Sequence, residues 1–211
     1  MFFLFGESVR FSTASVGNKE CPVCMAQEPF TEQTEKLWFT FFHIPLLKIE
    51  ESARYWRCEK CLNPFVINRL NIPSQVPVIQ QIVVYVMLGY GQSQNKQVAQ
   101  EICLKLTGFG LNDQEYSRVL SRLQSGHQNA DELVRQSAPS MNAIGKQAVI
   151  EAAFLSTYVC CELQYEDRLR VNLIGTALGV GLEFVDYSIA QSRKRGYYGI
   201  RRLNYVETVA R

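Results

Sequence analysis

The sequence predicts an α+β chain of two unlike parts: an N-terminal β module organised around four cysteines, then an all-α bundle built from two similar helical units. Three observations carry this reading. Two C-x-x-C pairs, Cys21/Cys24 and Cys58/Cys61, bracket aromatic, strand-like sequence. After the segment NIPSQVP the texture changes to helical periodicity. Within that second part the chain aligns with itself, without gaps, at an offset of 71 residues. The divisions expected are residues 1–70, residues 71–193 and a basic C-terminal tail, residues 194–211.

A chain of 211 residues, 47% of them hydrophobic, has enough apolar surface for a real core. No run reaches the roughly 18 uninterrupted apolar residues of a membrane span. The longest candidate, VPVIQQIVVYVMLGYG, is broken by Pro77 and two glutamines. The opening MFFLFG is short and has no basic flank, so it is not read as a signal peptide, and a cytoplasmic location is expected. Formal charge is +2, made up of 0 over residues 1–70, −3 over 71–190 and +5 over 191–211. Basicity therefore belongs to the tail.

Seven cysteines is an odd number, and four of them stand as CPVC and CEKC with 33 residues between the pairs. In a reducing compartment that pattern favours metal ligation over a disulfide framework. Each C-x-x-C turn aims two sulfurs at one centre, and two turns complete the tetrahedral four-thiolate shell of a closed zinc site. The intervening KLWFTFFHIPLL and ARYWRC have strand character, able to return the chain to its start as antiparallel strands. The arrangement is a zinc ribbon with one structural ion, an iron centre or a disulfide being the alternatives. A thioredoxin-like redox pair would need a βαβ setting, which the sequence lacks. His43 reads as a hairpin residue, because four cysteines already close the shell.

The ordered set MFFLFG, CPVC, WFTFFHIPLL and YWRCEKCLNPF resembles the small bacterial zinc-ribbon proteins that open on a hydrophobic strand and glycine. The resemblance spans residues 1–66 and implies a ribbon fold and a zinc ion. It implies no activity.

The helical part begins near Asn71–Gln75, with Ser74 as cap and Pro77 in the first turn of a helix running to Leu88. A second helix is expected from Gln94 to Leu106, with Val98, Ile102 and Leu106 on one face and Gly108 as its stop. Asn112 and Glu115 form a capping-box pattern that opens a third helix carrying Tyr116, Val119, Leu120 and Leu123. At the 71-residue offset Val78 and Ile79 match Val149 and Ile150, Gly108 and Gly110 match Gly179 and Gly181, and Tyr116 matches Tyr187. A short helix at NADELVRQ joins the two halves.

Helix order, the repeat and the connector LQSGHQNADELVRQ resemble the tellurite-resistance TerB-like domain, over residues 75–193. Such domains also occur in membrane-anchored DnaJ-type co-chaperones. The family's repeated Asp-Gly turns, followed by acidic residues that can bind metal, fall here at Tyr90-Gly91 and Cys161-Glu162. Both aspartates and the second glycine are missing, which removes the oxygen ligands a calcium-type site needs. Glu166 and Asp167 are read instead as the acidic first turn of a helix.

Cys103, Cys160 and Cys161 lie in apolar helical sequence, where Cys103 and at least one of the vicinal pair Cys160 and Cys161 read as small core residues. His127 stands in a polar connector with no evident Ser or Cys nucleophile arrangement around it. GYG and GFG lack the strand and the Lys-Ser/Thr ending of a phosphate loop. In the tail, Arg193, Lys194, Arg195, Arg201 and Arg202 interleave with Tyr197, Tyr198 and Tyr205, a mixture able to contact phosphates and stack on bases. It equally suits an anionic membrane surface or an acidic protein. With a closed metal shell and no catalytic constellation, the expected function is a non-enzymatic adaptor or scaffold for protein–protein interaction. Nucleic-acid binding through the ribbon and tail is the alternative.

Overall fold

The computed structural model describes residues 5–41, 44–126 and 130–203. Two compact units make it up: Met1–Ser74 with Ser137–Gly145, and Gln75–Gln136 with Lys146–Arg211.

The first unit is an antiparallel four-stranded sheet of order β1-β2-β3-β4, formed by β1 (Phe5–Cys21), β2 (Ala26–Phe41), β3 (Ile44–Cys58) and the two-residue β4 (Pro64–Phe65). The described residues of both predicted strand segments lie within it, although β1 runs much further than its aromatic start indicated. At Gly17, φ is +90°, a conformation that costs glycine little; it sits where the β1–β2 register shifts and β1 bulges. The core of this unit gathers at the cysteine end, where Cys21, Phe30, Trp56, Cys58 and Phe65 are buried together. The Phe30 and Phe65 rings meet at 5.6 Å, tilted by 56°. Carboxylates clamp the strands above that core: Arg54 Nη2 pairs with Glu32 at 2.6 Å, and Tyr55 Oη donates to Glu35 at 2.8 Å.

Away from the cysteines the sheet is thin and one-sided. The register sets Glu7, Val9 and Phe11 of β1 beside Phe39, Leu37 and Glu35 of β2, and these beside Leu47, Glu50 and Ala53 of β3. Paired residues share a face, so these form one apolar surface whose charged members are all acidic. Val9, Phe11 and Leu47 are 49%, 63% and 66% exposed. The opposite face carries Trp38 among polar and charged residues, Ser8, Arg10, Ser12, Lys36, Lys48, Glu51 and Arg54.

The second unit is helical: α1 (Gln75–Gly89), α2 (Lys96–Thr107), α3 (Asp113–Gln124), α4 (Ala130–Ser137), α5 (Ala143–Cys160), α6 (Tyr165–Ala177) and α7 (Leu182–Lys194). α1 and α5 are apolar almost all round and supply most of the core, including Ile79, Ile82, Met87, Ile150, Leu155 and Val159. Shifting α1, α2 and α3 by the 71-residue offset brings their bounds to within three residues of α5, α6 and α7. Gly108 and Gly179, matched by that offset, are left-handed at φ +73° and +70°.

The Asn112–Glu115 capping box is formed, with Glu115 N donating to Asn112 Oδ1 at 2.9 Å and Asn112 N donating to Glu115 Oε2 at 3.0 Å. Ser74 does not act as the expected cap: its buried hydroxyl has no hydrogen-bond partner among the described residues, while its N–H donates to Pro64 O at 3.0 Å. Among the described residues no single helix is long and apolar enough to cross a membrane. His43, His127 and Tyr205 lie outside the described residues.

Candidate metal centre

Cys21 ends β1 and Cys58 ends β3, and each begins a tight turn that carries the second cysteine of its pair. The two turns repeat one local design. Met25 N donates to Cys21 O at 2.8 Å, and Leu62 N donates to Cys58 O at 3.0 Å. Met25 and Leu62, each four residues after the leading cysteine, take left-handed conformations at φ +52° and +59°. Such a turn points both of its sulfurs to the same side.

The four sulfurs converge, all lying within 4.8 Å of one another. Cys21 Sγ is 3.7 Å from Cys61 Sγ, and Cys24 Sγ is 3.9 Å from Cys58 Sγ. A disulfide needs about 2.05 Å, so neither pair is bonded. A tetrahedral ion with metal–sulfur distances of about 2.3 Å requires sulfurs about 3.8 Å apart, and the separations found match it. The four cysteines can therefore hold a metal ion.

Electrostatics favour a cation there. Burial pushes the Cys21 thiol up, and burial together with the neighbouring sulfurs pushes Cys24 up to about 12. Cys61 moves the other way: burial opposes its ionisation, but the backbone and side chain of Asn63 donate to its sulfur and prevail. Four thiolates cannot share this volume without a compensating charge, and a divalent ion supplies it. Lys60, paired with Glu28 at 2.5 Å, adds a positive charge near Cys24 and Cys58.

One contributor escaped the sequence reading. Asn142, only 8% exposed, belongs to the sheet unit; its amide donates to Leu62 O in the second knuckle at 3.0 Å, while its Oδ1 accepts from Gly145 N at 3.0 Å. Nothing in the local sequence signals a partner 80 residues away.

The remaining cysteines are distant in role. Burial raises Cys103 and Cys160 to about 12 and Cys161 to about 11, so all three stay protonated thiols at neutral pH. Asp167 lies in the first turn of α6, where its Oδ2 accepts from Gln164 N at 2.9 Å.

The residues of the basic segment fold back on α5. Tyr197 stacks on Tyr158 with ring centroids 4.0 Å apart and planes within 8°. Tyr198 Oη donates to the buried Glu151 carboxylate at 2.5 Å, and Arg195 approaches the same carboxylate at 3.6 Å. Arg202 lies over the Tyr158 ring at 4.5 Å and Arg193 over Phe154 at 5.7 Å. Tyr197 and Tyr198 are both left-handed, at φ +53° and +56°. The side chains of Arg193, Lys194, Arg195, Arg201 and Arg202 remain exposed.

A search with protein-family models, and comparisons with curated proteins and with solved structures, return no match to this chain. What stands is a four-cysteine cluster, able to hold a metal, on a β-rich unit that precedes seven helices.

Proposed function

We propose that the chain is a non-enzymatic adaptor, in which a zinc-stabilised ribbon presents a sheet face to another protein and a TerB-like bundle follows it. The observation that carries this is the one-sided sheet, with Val9, Phe11 and Leu47 open to solvent beyond the cysteine core. Exposed apolar surface rimmed by polar residues marks interaction sites. Charge narrows the partner. Glu7 and Glu50 are exposed on that face, and the described basic residue that shares it, Arg57, lies at the cysteine end, so a second copy would meet like charge over the apolar part. The complementary occupant is a cationic amphipathic segment of a different protein.

Zinc is the ion favoured, since four sulfurs in tetrahedral spacing leave no position open for water, and such closed sites are structural. The nucleic-acid reading ranks second. With the rings of Tyr197 and Tyr198 engaged within the fold, only the exposed cations would remain for phosphate.

A photo-crosslinking residue placed at Phe11 tests the adaptor reading against the same residue at Ser12, which is exposed on the opposite face. Partners should crosslink from Phe11 and not from Ser12, and a Leu47→Glu change should reduce the yield at least tenfold. Equal crosslinking from both positions, or none from either under normal and stress conditions, removes the proposal.

A further inference from the structure

The helical unit holds a cavity of about 410 Å³ between the C-terminal end of α1 and the helices α4, α5 and α6. That volume falls in the range of small-molecule sites. Its wall is largely apolar, drawing on Val86, Leu88, Ala153, Val171 and Ile174, with Tyr85 and Leu173 at positions still open to solvent. Among the described residues, the cationic side chain in its lining is Arg170.

The setting of Arg170 separates this cavity from a plain packing fault. Its guanidinium carbon lies 5.2 Å from the centre of the Tyr90 ring, a separation at which a cation and a π face attract. Tyr90 in turn is held through its hydroxyl, which donates to Asp167 Oδ1. The other oxygen of Asp167 accepts from Gln164 N at 2.9 Å and from the Cys161 thiol at 3.4 Å. This chain of contacts anchors a ring, and the ring positions a cation. Among the described residues no carboxylate forms a salt bridge with Arg170; Asp167 acts on it only at longer range, with its own oxygens already taken. A planar guanidinium with five donors is suited to receive a carboxylate bidentately. One guanidinium balances one negative charge, which favours a monoanion over a dianion.

From these contacts we infer that the cavity binds a small amphipathic monoanion, its apolar body against α1, α5 and α6 and its carboxylate or sulfonate on Arg170. Tyr90 and Asp167 are positioning residues in this scheme: they hold Arg170 and do not touch the ligand's charge.

The probes are octanoate, octanol and octylamine, read by displacement of the fluorescent aromatic sulfonate 1-anilinonaphthalene-8-sulfonate from the full-length chain. Octanoate should bind at least tenfold more tightly than octanol, and octylamine most weakly. Arg170 is exposed, so Arg170→Gln should fold normally; it should weaken octanoate about tenfold and leave octanol unchanged. Leu173→Glu, at a position 62% exposed, should weaken octanol by loss of apolar wall and octanoate still more by added like charge. The inference fails if octanoate and octanol bind equally well, if Arg170→Gln leaves octanoate binding intact, or if Leu173→Glu changes neither. None of these outcomes bears on the sheet face, so this site and the adaptor reading stand or fall separately.

Discussion

Glu151 is a carboxylate in the middle of the apolar helix α5, only 2% exposed, and such a group persists only where donors surround it. Gln147 Nε2 supplies one at 2.8 Å, the Tyr198 hydroxyl another at 2.5 Å, and Arg195 adds positive charge at 3.6 Å. This satisfaction explains why two consecutive tyrosines accept left-handed backbone, a conformation unfavourable to bulky residues. Replacing Tyr198 by Phe keeps the ring and removes the donor. The change should cost about 1–3 kcal/mol, the range for leaving a buried acceptor short of a partner. Urea unfolding of wild type and variant measures it, and a midpoint that does not move would show that Tyr198 is not what satisfies Glu151.

The helices were legible in the sequence where the signals are local. The Asn112–Glu115 box, Gly108 as a stop and the repeat at 71 residues all depend on neighbours within a turn or on a fixed period, and all reappear in the element bounds. The cysteine turns were legible for the same reason, since C-x-x-C spacing is a property of one turn. Long-range pairings were not. The Tyr90–Asp167 contact joins residues 77 apart, and the bond from Asn142 to Leu62 joins residues 80 apart. Ser74 reads as a cap by residue type, but tertiary packing buries its hydroxyl without a partner among the described residues. At the start of α6, Asp167 carries a consequence for pH. Burial alone would raise its pKa, but donors from Tyr90, Gln164 N and Cys161, with Arg170 nearby, hold it below the ordinary carboxylate range. A depressed folded value means that stabilisation is complete above the unfolded pKa of about 4 and is lost as pH falls through the folded one. Asp167→Asn should therefore be less stable than wild type by about 1–3 kcal/mol at pH 7, with the gap closing below about pH 4. Thermal unfolding between pH 7 and pH 3 checks this, and a gap independent of pH would contradict it.

At the scale of the whole molecule the two units rest on different kinds of stability. The helical unit buries long apolar helices, with Ile79, Ile82, Ile150 and Leu155 fully enclosed, so its core is built of apolar side chains. The sheet unit's buried cluster at the cysteine end has five residues, and two of the five are Cys21 and Cys58, which could hold a metal ion. So few large buried side chains leave the ordering of three long strands marginal. A bound ion would add on the order of 10 kcal/mol to that balance. Because burial raises the Cys21 and Cys24 thiols, binding must displace protons from them, and affinity should fall as the solution is acidified. Chelation at neutral pH should then unfold the sheet unit selectively. Trp56, 9% exposed and packed beside Phe65 in that core, should shift its emission to the red as it meets water. The helical ellipticity at 222 nm, which arises in the other unit, should stay largely intact. Cys58→Ser should reproduce the chelated state in the absence of chelator, with the metal content of the purified chain falling from one equivalent to near zero. If Cys58→Ser retained a full equivalent of metal, or if Trp56 emission were indifferent to chelation, the four cysteines would not be the ligands that hold the sheet unit together.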